Sequence, residues 1–129
     1  MRFAIFGDIH ANLHALQAVL EDTRDQGCTH SICMGDIVGY NAFPKECLAI
    51  VRELDCPTVM GNHDEQVSMD STQEGLNPLA EEALDWTRNH LDDSEKKWLS
   101  GLRFQRLVRD FTIVHATLDT PHKWGYVTT

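Results

Sequence analysis

The sequence predicts an α/β fold built on a parallel sheet, and three observations carry that prediction. Three short, continuous apolar runs, RFAIFG at 2–7, HSICMG at 30–35 and TVMG at 58–61, have the composition of strands buried on both faces. Two segments with helical spacing separate them. The whole strand–helix–strand–helix–strand series fits in about 60 residues, as right-handed βαβ crossovers require.

Taken in order, RFAIFG is the first strand. Asn12 can cap a helix in which Leu13, Leu16, Leu20 and Thr23 share one face, ending near Gly27. HSICMG is the second strand, followed by a loop to Pro44. A helix from Pro44 to Leu54 places Leu48, Val51 and Leu54 on one side, with Pro57 closing it. TVMG is the third strand, and 65–77 reads as polar and irregular. Asn77-Pro78 supplies a cap and then proline at the first helical position, opening a helix to about Asn89. Asp93 or Ser94 caps a shorter helix ending at Gly101. LRFQRLV and FTIVH, split by Arg109-Asp110, read as a β-hairpin. The final segment, ATLDTPHKWGYVTT, reads as loop. The hairpin begins a new run of strands, so a second layer of sheet is expected.

With 129 residues the chain fits a single domain, 1–129, and can bury a core without staples. Its 42% hydrophobic and 24% charged residues are those of an ordinary globular protein. No apolar run reaches the roughly 18 residues a membrane helix needs, and the N-terminus turns polar after Gly7, too soon for a signal peptide. A cytoplasmic location and no membrane partner are the resulting expectations. A net charge of −9 argues against holding nucleic acid by its phosphates. It leaves room for a phosphate substrate if metal ions supply the positive charge. Cys28, Cys33, Cys47 and Cys56 form no CxxC pair and read as reduced, partly buried thiols.

The strand ends carry the chemistry. The first ends in GDIH, offering Asp8 and His10; the second in GDIVGY, offering Asp36; the third in GNHD, offering Asn62, His63 and Asp64; the last in FTIVH, offering His115. Singly, Asp8 reads as a helix cap, Gly35-Asp36 and Gly61-Asn62 as turns, and His115 as a core imidazole. Jointly, four strand ends furnish metal-ligand side chains at the edge where open parallel sheets bind ligands. Carboxylate, imidazole and amide donors without thiolate suit Mn, Fe, Zn or Mg. A carboxylate on the middle strand, Asp36, can bridge two such ions, and a pair of ions can clamp a phosphoryl group and acidify a water. His63 can point over the site, with Asp64 orienting it. Trp86 and Trp98 read as core, and His14 and His90 as solvent-facing. Tyr40, Asn41, Trp124 and Tyr126 read either as packing or as pocket lining.

GDIH, GDIVGY, GNHD and VHAT together resemble the calcineurin-like metallophosphoesterase superfamily, most closely its bacterial and archaeal single-domain phosphoesterases. The resemblance covers essentially the whole chain, and NPLAEEALDWTRNHL looks like the helical insert of that branch, here 65–101. It implies a four-layered α/β/β/α sandwich and a phosphatase or phosphodiesterase. It also implies two divalent metal ions, manganese favoured, and a small phosphoester substrate, nucleotide-type included. In that scheme Asp8 and His10 bind the first metal, Asp36 bridges, and Asn62 and His115 bind the second. His63, backed by Asp64, protonates the leaving oxygen or steadies the phosphate, and a metal-bridging hydroxide attacks phosphorus in line.

The family's closing G-H-x-H motif has no counterpart among His10, His14, His30, His63, His90, His115 and His122. The chain is therefore expected to be the N-terminal part of a longer protein, incomplete at its C-terminus, with weak metal affinity and a tendency to self-associate as a homo-oligomer. A non-catalytic interaction scaffold on the same fold, or an inactive fragment, is the rival expectation. Ala11 and Ala116, where the family often has glycine, are expected to adopt an ordinary backbone conformation.

Overall fold

A computed structural model describes residues 1–69 and 76–128. Strand β1 (Phe3–Phe6) pairs in parallel with β2 (His30–Cys33), with Phe3 opposite His30 and Phe6 opposite Cys33. The crossover is α1 (Leu13–Asp25). Its cap is Asn12, whose side-chain oxygen accepts from the Ala15 N–H at 3.1 Å, and Leu16 is its buried residue. Helix α2 (Pro44–Leu54) buries Cys47, Leu48 and Val51 and ends on Asp55, which takes a left-handed φ of +48°. That residue, ahead of Pro57, terminates the helix, and Leu54 is exposed instead of joining the apolar face.

The expected third strand shrinks to single bridges. Thr58 bridges Cys33 and Val59 bridges Arg103, both parallel. The Val59 N–H donates to the Cys33 carbonyl at 3.1 Å, and the Met60 N–H to the Arg103 carbonyl at 2.8 Å. Ladder pairing stops there because helix begins at once: α3 (Asn62–Ser68) follows Gly61. The stretch read as irregular at 65–77 is thus helical to Ser68, while 70–75 of it lies outside the described residues.

Helix α4 (Pro78–His90) opens as expected, Asn77 accepting from the Ala80 N–H at 2.9 Å. Helix α5 (Asp93–Ser100) is capped one residue earlier than expected, by Asp92. Asp92 accepts from the Glu95 N–H at 2.8 Å and Glu95 returns a bond to the Asp92 N–H at 3.0 Å, a capping box. Strands β3 (Gln105–Val108) and β4 (Phe111–Val114) form the antiparallel hairpin, turning at Arg109-Asp110 with Arg109 at φ +56°. A 3₁₀ turn, Pro121–Lys123, interrupts the stretch read as loop.

The two faces of β2 define the layers. Cys33 packs with Leu16, Leu48, Val51, Leu84 and Leu99 on the helical side. Ile32 packs with Val59, Val108 and Ile113 on the side of the hairpin. Helices, parallel sheet and the first hairpin of a second sheet are therefore stacked, in the α/β/β order of the predicted sandwich. Trp98 packs on this core, whereas Trp86 is a correction to the core assignment: it is 39% exposed and stacks on the likewise exposed His90 at 3.8 Å. Among the described residues no helix is long and apolar enough to cross a membrane.

Burial pushes the Cys33 thiol up to about 12 and the Cys47 thiol to about 11. Both thiols are expected to resist alkylation at pH 8 in the native chain and to react once denaturant opens the core; native-state labelling of either would contradict this packing. In the unfolded chain these thiols ionise near pH 9, before the folded ones. Their contribution to stability is therefore complete below pH 9 and declines above it.

Candidate metal centre

Two loops meet beyond the carboxyl ends of β1 and β2. The Asp8, His10 and Ala11 N–H groups donate to the carbonyls of Gly35, Asp36 and Ile37 at 3.0, 2.9 and 2.8 Å, so the loops run along each other. This pairing needs sharp backbone turns: Asp8, His10, Ala11, Asp36 and Tyr40 all have φ between +46° and +66°. Such conformations are uncommon outside glycine and cluster at functional sites. Ala11 therefore departs from the ordinary conformation expected of it.

Asp36 is the hub. It is buried, and its Oδ2 lies 3.5 Å from His10 Nε2 and 3.2 Å from His115 Nε2. Its Oδ1 accepts from the His63 N–H at 3.0 Å. The other ring nitrogens are tied to backbone: His10 Nδ1 to the Val38 carbonyl at 3.1 Å and His115 Nδ1 to the Met34 carbonyl at 2.7 Å. A carbonyl only accepts, so each Nδ1 carries a proton, and it is Nε2 of each ring that faces the Asp36 carboxylate, holding either a proton or a lone pair open to a cation. Lone pairs facing a carboxylate call for a proton or a cation between them. Backbone-tethered imidazoles with free Nε2 are the usual posture of metal-ligating histidines.

Two potential ligand groups share Asp36: His10, Asp36 and His63 form one, and Asp8, Asp36 and His115 the other, each with ligand atoms within 4.8 Å of one another. Asp36, the residue expected to bridge, is the carboxylate common to both groups. The flanking groups are distributed differently from expectation. His63 stands with His10, and Asp8 stands with His115, because the largely exposed Asp8 carboxylate (70%) turns to within 3.9 Å of His115 Nε2. Asn62, the first residue of α3, lines a cleft of about 440 Å³ with Asp8, Met34, His115, Trp124 and Tyr126. All five expected metal ligands and His63 thus border one site, and Trp124 and Tyr126 line its mouth.

Asp64 corrects the expected pairing with His63. Its carboxylate is fully buried and accepts four backbone N–H groups: Asp36 at 2.8 Å, Ile37 at 3.0 Å, Val38 at 3.3 Å and Gly61 at 3.0 Å. It fixes the Asp36 loop and makes no described hydrogen bond to the His63 ring. The His63 ring packs instead against His10 and Tyr40, centroids 4.8 and 4.6 Å away, and its buried Nδ1 has no protein partner among the described residues. Gly39 makes room for it: at φ +98°, any Cβ there would lie 2.5 Å from His63 Nδ1. Gly61 likewise permits close approach, since a Cβ on it would collide with Asp36 Oδ1.

The electrostatics follow from burial and pairing. Burial favours the neutral acid at Asp36, yet the His115 hydrogen bond and charge, with help from His63, hold it below the usual carboxylate range. Burial also opposes a charge on His115, but the Asp36 hydrogen bond and charge outweigh it and raise the ring to about 9. His63 is lowered by burial despite the pull of Asp36. Burial and the neighbouring Asp36 charge push Asp64 up to about 7, against its four N–H donors. The sequence alone did not expose the Asp64 clamp or the bond from Trp124 Nε1 to Glu65 Oε1 at 3.3 Å, since both join residues remote in the chain.

The profile of calcineurin-like phosphoesterases matches residues 1–128. An uncharacterized protein of Methanocaldococcus jannaschii is 35% identical over 128 residues, covering 96% of this chain and 53% of that protein. The crystal structure of a metallophosphoesterase from Sphaerobacter thermophilus superposes with a TM-score of 0.83 at 37% identity, over 98% of this chain and 51% of that one. A protein described provisionally as a diadenosine tetraphosphatase superposes at 0.72 over 91% of this chain and 50% of its own; at 22% identity that likeness speaks for the fold alone. The chain spans about half the length of the relatives it matches.

Proposed function

Since the chain belongs to the calcineurin-like phosphoesterase family, we propose that it carries the greater part of a two-cation centre for phosphoester hydrolysis. The observation supporting this reading is the convergence of His10, His115 and two potential ligand groups on the single carboxylate of Asp36. Asp8, His10, Asp36, Asn62 and His115 would hold two divalent ions, manganese favoured, with Asp36 common to both. Such ions, when bound, neutralise phosphoryl charge and acidify a water for attack on phosphorus.

The chain's own groups do the remaining work. The backbone carbonyls of Val38 and Met34 orient His10 and His115. Asp64 holds the Asp36 loop rigid against them. His63, buried beside the Asp36 carboxylate, would donate a ring N–H hydrogen bond to phosphate and, in its protonated form, a proton to the leaving oxygen. General acid–base groups contribute about 10²–10⁴-fold, so His63→Ala is expected to lower kcat by that order while Mn²⁺ still binds. The same reading takes 1–129 as one domain with 65–101 as its helical insert, and a small phosphoester as substrate.

The test is hydrolysis of p-nitrophenyl phosphate and bis(p-nitrophenyl) phosphate with and without Mn²⁺. Metal-stimulated turnover of either ester is expected. Absence of stimulation, with Asp36→Asn indistinguishable from the parent, would overturn the proposal.

A further inference from the structure

We infer that the groove between the Tyr40 loop and α4 receives a purine base, so that the phosphoester cleaved at the neighbouring centre is a purine nucleotide. This rests on the phosphoesterase reading for the position of the phosphate, and on separate observations for the base.

The groove holds about 460 Å³, within the roughly 300–1,000 Å³ range of small-molecule sites, and is lined by Tyr40, Asn41, Ala42, Leu79, Glu82 and Trp86. It adjoins the candidate centre through one residue. The Tyr40 ring lies 4.6 Å from His63 and 4.8 Å from His10 on one side and lines the groove on the other. A ligand whose phosphate lies at His63 therefore meets Tyr40 next.

Two aromatic rings lie open to solvent there: Tyr40 is 54% and Trp86 39% exposed. Stacking on His90 fixes the plane of Trp86. Exposed, oriented rings beside a phosphate-handling site have the makings of a stacking platform. The charge of the lining then narrows the occupant. Among the described residues the lining contains no lysine or arginine, and its one carboxylate, Glu82, repels an anion and accepts hydrogen bonds. The groove thus suits a flat, uncharged ring system that presents N–H donors. A purine offers the larger stacking face, and the Watson–Crick edge of guanine offers adjacent N–H groups to a carboxylate, with the Asn41 amide able to serve either purine.

The experiment is ligand-observed saturation-transfer NMR on the metal-free 129-residue chain with guanosine, adenosine and ribose. Saturation is expected at the base protons of both nucleosides, with ribose far weaker. Base–aromatic stacking is worth about 1–3 kcal/mol, so Trp86→Ala is expected to weaken nucleoside binding about 5–150-fold and Trp86→Phe to restore most of it. Glu82→Gln is expected to weaken guanosine binding more than adenosine binding. Tyr40→Ala provides a second truncation should Trp86→Ala fail to fold. Ribose binding as well as the nucleosides, or unchanged affinity in the truncations, would sink the inference. The readout needs neither metal nor turnover. Base binding without hydrolysis would overturn only the phosphoesterase reading, and hydrolysis without base binding only this one.

Discussion

Asp36→Asn is expected to abolish metal-stimulated phosphoester turnover while leaving a folded chain. Asp36 is the one side chain common to both potential ligand groups, so its loss removes a donor from each. Losing an outer partner of a metal ligand costs about 10–100-fold, and losing a shared ligand is expected to exceed that range. The amide has the same shape, keeps an oxygen for the His63 N–H and can donate its own N–H to His115 Nε2, which gives up its proton more readily once the carboxylate is gone. The metal-free chain should therefore stay folded, losing the Asp36–His115 charge pairing but no packing. Manganese electron paramagnetic resonance, paired with a denaturant titration, separates the two effects. Mn²⁺ binding in the variant equal to that of the parent chain would show that the cations are held elsewhere.

Asp64→Ala is expected to give the largest loss of stability. The substitution strips four buried backbone N–H groups of their acceptor, those of Asp36, Ile37, Val38 and Gly61. Orphaned buried donors cost about 1–3 kcal/mol each when water cannot reach them, and relaxation reduces the sum, so about 3–5 kcal/mol is expected. Asp64→Asn should fall between, because one amide oxygen can still accept while the NH₂ group faces other donors. In the surviving folded fraction Mn²⁺ affinity should fall too, since the Asp36 loop loses its clamp. A denaturation midpoint shifted by the equivalent of less than about 1 kcal/mol would refute this account of the carboxylate.

These two carboxylates also show what the sequence could and could not convey. Asp36 was legible because a Gly-Asp pair ends an apolar run, and strand ends are where such sheets gather ligands. The caps Asn12 and Asn77 were legible because capping is a local reaction between a side chain and an amide three residues on. Asp64 is visible in the sequence, but its partners are not. Adjacency to His63 in the chain suggested partnership, whereas α3 turns the two side chains apart, and Asp64 bonds to residues 26–28 positions away. The third strand failed for a similar reason: TVMG has strand composition, but α3 starts immediately after Gly61 and leaves only single bridges. Trp86 reads in the sequence as packing between helix and sheet, and its place beside the Tyr40 groove emerges only from the packing of α4.

Among the described residues, five of the eight non-glycine positions with left-handed φ lie on the two loops that carry Asp8, His10 and Asp36. Backbone held in such conformations costs of the order of 1 kcal/mol or more per residue, and the surrounding packing must hold it there. Thermal robustness and fidelity of the proposed cation site are thereby set against each other. Glycine introduced at Ala11 or Tyr40 would release tension and free the rim to wander, so selection for heat tolerance alone should loosen the arrangement around Asp36 before it harms folding.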